Sequence, residues 1–272
     1  MIFDLGIVVP SIRTHLWEQL YNSIEKSCVG RYTWVLYLVS PFMRDAPGKH
    51  VRMFKSHRSP TACAQFVVDC EVNTRLMYHT TDDAILRENA LDTCLDYYFS
   101  LKNPFSIIMN MRYREGANHN SKEFPPHYWK AGTWPDNRLP GVNPNWGISL
   151  QPMMFTSTFK YYGGWDCMFD YLVYANHDLL FRMQQDGCRV VDSPVEVVSA
   201  DWMEGMTGDH KPIHIAQTEH DLPLYQKIYS DPRAAEKRKR IPSENWTKTP
   251  MIWETRFDKN NPEKNYGELK LL

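Results

Sequence analysis

Two acidic residues, Asp82 and Asp83, close an apolar run that begins at Arg75, and a third, Asp178, stands four residues before Arg182 in a helical pattern. Neighbouring carboxylates at a strand end repel each other and are costly to desolvate unless a cation or hydrogen-bond donors compensate them. A divalent ion does this well, because hard oxygen ligands suit Mg²⁺ or Mn²⁺, and such an ion can bridge a nucleotide diphosphate. The same pair could instead cap the helix that follows, a common use of aspartate. Residues four apart share a helix face, so Arg182 can anchor Asp178 while the carboxylate faces a cleft; an incidental ion pair is the plainer account. His210 and His214, in a polar loop, are either imidazole ligands completing a carboxylate site or surface histidines.

The elements that must position these groups follow from the hydrophobic pattern. Gly6-Ile7-Val8-Val9-Pro10 reads as a buried first strand, and Ser11 or Thr14 can cap a helix over residues 15–26. Residues 33–39, 51–55 and 75–79 read as further strands, and Ser59-Pro60 opens a helix with proline in its first turn. Beyond a helix over 88–101 come strands at 106–113 and 146–150, separated by an irregular segment, 115–145, of the kind that often serves as a substrate lid. Gly163-Gly164 precedes a helix that stops at Gly187, and strands follow from Cys188 and within 192–202. The alternation of strand and helix points to an α/β fold with a mainly parallel sheet flanked by helices. In such sheets ligands bind outside the carboxyl ends of the strands. Four polar clusters fall there: Pro10-Ser11-Ile12-Arg13, Ser40-Pro41, Ser56-His57-Arg58 and Thr81-Asp82-Asp83.

The 272 residues can bury a substantial core, and 31 Lys and Arg balance 32 Asp and Glu, so no global field recruits nucleic acid or an anionic membrane. Six scattered cysteines without a C-x-x-C pair indicate neither a zinc knuckle nor a disulfide framework. No signal peptide or transmembrane run is evident, and the chain reads as a soluble, cytoplasmic protein of a reducing compartment. Residues 1–230 are expected to form the catalytic domain. Residues 231–272 would then be a basic helix, from Arg233 to Arg240, and a weakly periodic extension, most simply a solvated face.

Taken in order, Pro-Ser-x-Arg after the first strand, Thr-Asp-Asp after the fourth, then Gly163-Gly164-Trp165-Asp166 and Asp178-Leu179-Leu180-Phe181-Arg182 ahead of Gly187, the chain resembles the family 2 type of GT-A glycosyltransferases. The resemblance covers roughly residues 6–220. It implies a GT-A, Rossmann-like nucleotide-diphospho-sugar transferase fold and mostly inverting transfer from a nucleotide-sugar donor, UDP-linked foremost. The implied acceptor is a glycan, a lipid-linked group or another hydroxyl. Asp82-Asp83 looks like the Asp-x-Asp type motif, with Asp83 at the place of its last, metal-holding acid. Pro10, Ser11 and Arg13 resemble the first-strand loop on the nucleotide, and Arg58 with Gln65 the segment along its base and ribose. Gly163, Gly164, Trp165 and Asp166 resemble the loop beneath donor sugar and acceptor.

The chain departs from the family at Ala175-Asn176, where a Glu-Asp pair usually supplies the base, and at Val39-Ser40, where an aspartate often holds the nucleobase. Asp178 is the nearest remaining carboxylate and the candidate base, with Asp166 in reserve. The chemistry implied is a metal-assisted single displacement, the base taking the acceptor proton. Two other classes compete. A catalytically silent GT-A-like domain binding glycan or nucleotide is favoured by Ala175-Asn176. A nucleotidyltransferase would need a glycine-rich, lysine-containing first loop that Pro10-Ser11-Ile12-Arg13-Thr14 lacks.

Overall fold

The computed structural model describes residues 2–115, 129–134, 138–200, 211–242 and 244–248. The first strand, β1 (Phe3–Pro10), is followed by α1 (Trp17–Ser27), β2 (Trp34–Ser40), β3 (Val51–Lys55), α2 (Pro60–Cys70) and β4 (Thr74–His79). Then come β5 (Ile85–Leu86), α3 (Ala90–Ser100), β6 (Ile107–Asn110), β7 (Tyr113–Glu115), β8 (Pro152–Phe155) and α4 (Thr156–Tyr161). The rest is α5 (Leu172–Gln185), β9 (Arg189–Asp192), β10 (Val198–Ala200), α6 (Lys211–Ala216), α7 (Leu222–Tyr229) and α8 (Ala234–Lys237).

Seven strands form one sheet in the order β3-β2-β1-β4-β8-β6-β9. All run parallel except β8, which pairs antiparallel with both β4 and β6. A small second sheet, β5-β10-β7, lies apart from it. Strands β2 and β6 are buried at every residue, as expected where helices cover both faces of a parallel sheet. The expected α/β class with a mainly parallel sheet is the class observed.

Local signals held where the partner is close in sequence. Ser59 Oγ accepts from the Ala62 amide and Pro60 takes the first helical position of α2, so that helix starts where its residues dictate. Elsewhere distant partners prevailed. Neither Ser11 nor Thr14 caps α1, which is entered through a short 3₁₀ turn without any side-chain cap. The strand expected at 146–150 is displaced along the chain and forms at Pro152–Phe155 as β8. Gly147 turns its amide and carbonyl instead to the Gln184 side chain, at 2.8 Å each, and only bridges Lys130. Much of the expected lid, 116–128 and 135–137, lies outside the described residues.

The chain after α7 returns to the domain. Ile241 donates its amide to the Tyr162 carbonyl at 3.1 Å, and Asn245 bonds the backbone of Gly163, Trp165 and Cys167. The basic run is thus partly structural, since Arg238 reaches the buried carboxylates of Asp166 and Asp178. Residues 249–272 lie outside the described residues.

Candidate functional site

Strands β1, β2 and β4 deliver their carboxyl ends to one edge, where Pro10 pairs with Val39 and Val8 with His79. A cleft opens there. Its walls include Pro10, Ser11, His57, Arg58, His79, Thr81, Asp82, Tyr171 and Asn176. The four polar clusters expected at strand ends therefore meet in space.

Asp82 and Asp83 are compensated from the first-strand loop. Ser11 Oγ donates to Asp82 at 2.6 Å, and Trp17 Nε1 donates to Ser11 Oγ at 2.8 Å, which fixes the hydroxyl. The Arg13 guanidinium pairs with Asp82 and lies 3.3 Å from Asp83. Burial works against its charge, yet the Asp82 carboxylate more than offsets this and its pKa lies above the ordinary arginine value. The acids therefore do not cap a following helix, and their local cation is Arg13. One acceptor stays unmatched: Asp83 Oδ1 is buried with no hydrogen-bond partner. A carboxylate oxygen left without a partner is a hard ligand of the kind that suits Mg²⁺ or Mn²⁺.

In the cleft wall, His79 Nδ1 and Thr81 Oγ1 have no hydrogen-bond partner among the described residues, and neither has Arg13 Nε next to Asp82. Buried polar groups are normally bonded, so a cluster of unmatched ones in one cleft points to a ligand or water. Burial, opposed by the nearby Leu150 carbonyl, pushes the His79 imidazole down to about 4, so it is neutral at pH 7. His79 and Tyr171 escaped the sequence reading, and only the position of His79 at the end of a strand offered a signal.

The glycine loop lies behind the cleft. Gly163 and Gly164 take positive φ, 76° and 69°, which the loop needs to pass between α2 and the returning C-terminal segment. Gln65, expected on the nucleotide, is fully buried: its Oε1 accepts from the Trp165 amide at 2.8 Å and its Nε2 donates to the Gly163 carbonyl at 3.2 Å. Trp165 is likewise fully buried, edge-on to His79, and donates from Nε1 to Asn176 Oδ1 at 2.7 Å. Both support the cleft from below, because no part of either side chain is exposed to a donor sugar. Arg58 is exposed at the rim, its guanidinium 4.9 Å from the Trp246 ring centre.

Asp178 is placed differently from the expected base. It is fully buried and accepts from Arg182 Nε at 2.8 Å, from the Tyr229 hydroxyl at 3.0 Å and from Arg238. Burial raises its pKa, but Arg182 and Arg238 outweigh burial and hold it below the usual carboxylate value. Asp166 is also buried, paired with Arg238 and bonded to the Met168 amide at 2.9 Å. The helix face carrying Asp178 packs inward because Tyr229 and Arg238 cover it, so the two acids brace the core. Among the described residues Asp82 is the carboxylate that lines the cleft, and Asn176 lines it too.

His214 sits in α6, half-buried, one residue from Ile213 of the cleft wall, and His210 lies outside the described residues. A second group of metal-ligand type is Asp170, His220 and Asp221, whose ligand atoms lie within 4.8 Å of one another. Its Asp221 carboxylate already accepts the Asp170 and Tyr171 amides at the start of α5. All six cysteines are free, and no helix of the described residues is long and apolar enough to cross a membrane.

A mainly parallel sheet with an acid pair and its cation at the carboxyl edge, and a glycine loop feeding a helix behind, defines a GT-A fold. Comparison with solved structures bears this out. S. aureus TarS, residues 1–349, superposes with a TM-score of 0.50 at 9% identity over 94% of this chain and 81% of that one. GalNAc-T7, crystallised with UDP, GalNAc and Mn²⁺, superposes with a TM-score of 0.55 at 11% identity. That match takes in 93% of this chain and 58% of GalNAc-T7, so the chain spans little more than half of that protein. At such identities the likeness is one of fold. Compared by sequence, the chain matches no family model and no curated protein.

Proposed function

We propose that the chain is a glycosyltransferase that binds a nucleotide-diphosphate sugar, UDP-linked, in the cleft at the ends of β1, β2 and β4. The observation that carries this reading is that His79 Nδ1 and Thr81 Oγ1, unmatched among the described residues, belong to the cleft wall that also holds Asp82, the acid paired with Arg13. The GT-A fold and the nucleotide, sugar and metal bound by its structural neighbour GalNAc-T7 support it. Asp83 would hold Mn²⁺ or Mg²⁺, with Asp82 kept in place by Ser11, and the ion would offset charge on the leaving diphosphate. Arg58 and His57 at the rim suit the phosphates or the base. The inverting, single-displacement outcome belongs to this proposal. In it the neutral His79 imidazole, which lines the cleft, takes the acceptor proton, because Asp178 and Asp166 are already held by arginines. General-base catalysis contributes roughly 10²- to 10⁴-fold.

A second reading, donor or glycan binding without transfer, is favoured by one observation: Asn176 stands in the cleft wall where the related enzymes carry a carboxylate. Incubating the purified protein with UDP-sugars and Mn²⁺ and measuring UDP release, to water or to added acceptors, separates the two. Release abolished by Asp83→Asn supports transfer. Saturable donor binding without release supports the binding domain, and neither binding nor release refutes both.

A further inference from the structure

The Arg13 guanidinium neutralises the acid pair from within the protein. It is nine-tenths buried, it touches both carboxylates, and its Nε points to no protein acceptor. Asp83 Oδ1, the atom best suited to a divalent ion, is orphaned beside it. Two cations cannot share these acids at no cost. The two carboxylates carry two negative charges, and a guanidinium with a divalent ion would bring three positive charges into one poorly solvated corner. Tyr171, the other group close enough to feel Asp82, Asp83 and Arg13, supplies no countercharge while its phenol stays protonated.

We propose that Arg13 is an exchangeable internal cation: it closes the acid pair in the free protein and yields it to the metal only when a donor diphosphate offers the guanidinium another anion. This rests on the donor-binding reading above and assigns Arg13 a part in ordering ligand entry. Arginine suits the task, since its planar fork binds carboxylate and phosphate alike. A ligand that changes the partner of a side chain couples the two binding events by the difference in contacts it makes. Metal alone must displace Arg13 and binds weakly. Metal with diphosphate does not bear that cost.

The test is Mn²⁺ binding followed by electron paramagnetic resonance, without nucleotide and with saturating UDP, on the wild type and on Arg13→Gln. Wild-type protein should bind Mn²⁺ about tenfold more tightly with UDP, within the usual span of site-to-site couplings of roughly 5- to 150-fold. Arg13→Gln should bind Mn²⁺ alone more tightly than the wild type, by a similar factor, and lose most of the UDP effect. A purely structural Arg13 gives the opposite sign. If Arg13→Gln weakens Mn²⁺ binding or leaves it unchanged, the exchange is refuted while donor binding stands. If wild-type protein binds neither UDP nor Mn²⁺ with UDP, the donor reading itself fails. Should Arg13→Gln not fold, Arg13→Met, which removes the charge and keeps an unbranched side chain, must still bind Mn²⁺ alone more tightly than the wild type. Asp83→Asn, which leaves the Arg13–Asp82 pair intact, should lose Mn²⁺ binding in both conditions.

Discussion

Arg238 and Asp178, sixty residues apart in the chain, meet at 3.2 Å inside the protein, and the same guanidinium pairs with Asp166. This contact makes the two carboxylates part of a buried structural clamp. Burial lowers the pKa of Arg238, but the two acids, Asp178 foremost, outweigh burial and keep it charged.

Removing the clamp should be costly. Arg238→Ala leaves Asp166 without its cation and Asp178 with Arg182 alone, and breaking a buried pair costs about 3–5 kcal/mol. Because Arg238 is partly exposed, with 23% of its side chain accessible, the lower end is expected. Urea denaturation should show the loss, whereas Lys237→Ala, which removes an exposed pair with Asp231, should leave the midpoint unchanged. Equal midpoints for the two variants would refute the clamp.

His177 should be replaceable at a profit in stability. It is buried in an aromatic box of Trp134, Tyr174, Phe181 and Tyr225, and neither ring nitrogen has a partner. An unsatisfied buried polar group costs about 1–3 kcal/mol, so His177→Phe should raise Tm. A fall in Tm would show that the imidazole makes a contact worth more than its desolvation.

Stability should fall on mild acidification. Burial holds His177 down to about 3 and His79 down to about 4, against 6.5 in the unfolded chain. The unfolded state therefore binds more protons below pH 6.5, and stability is lost as pH falls from there. Each histidine contributes about 1.4 kcal/mol per pH unit until its folded pKa is reached. Urea midpoints at pH 7, 6 and 5 measure the slope, and His177→Phe should reduce it; an unchanged slope would contradict the assignment.

The glycine loop should tolerate no side chain. A Cβ on Gly164 would meet Gln65 Oε1 at 2.2 Å and the Phe159 ring at 2.4 Å, with φ at +69°. Gly164→Ala should therefore yield little folded protein. Gly187→Ala, at φ +92° with nothing within 4 Å, should cost only the left-handed strain of roughly 1–2 kcal/mol. Soluble, fully stable Gly164→Ala would show that the loop can move away from α2.

Much of the architecture was legible because its causes are local. Apolar runs ending in Pro10, Ser40 and His79 mark buried strands, Ser59-Pro60 marks a helix start, and a parallel sheet then gathers the strand ends at one edge. The Asp178–Arg182 pair was legible too, since spacing alone puts both on one face. The functional assignment of that face was not, because helical spacing does not say whether a face meets solvent, ligand or core. Tyr229 and Arg238 settle that, and Arg238 comes from beyond the expected catalytic boundary.

By itself the sequence determined the α/β class, the edge at which polar residues collect and the presence of an acid pair needing a cation. Only the tertiary structure decided which cation: Arg13, brought 69 residues across β1 and β4 to Asp82. It likewise turned Gln65 and Trp165 into supports and placed His79 and Asn176 in the cleft. The physical reason is that a buried charge or amide must be satisfied, and when its partner lies far along the chain, no local pattern names it.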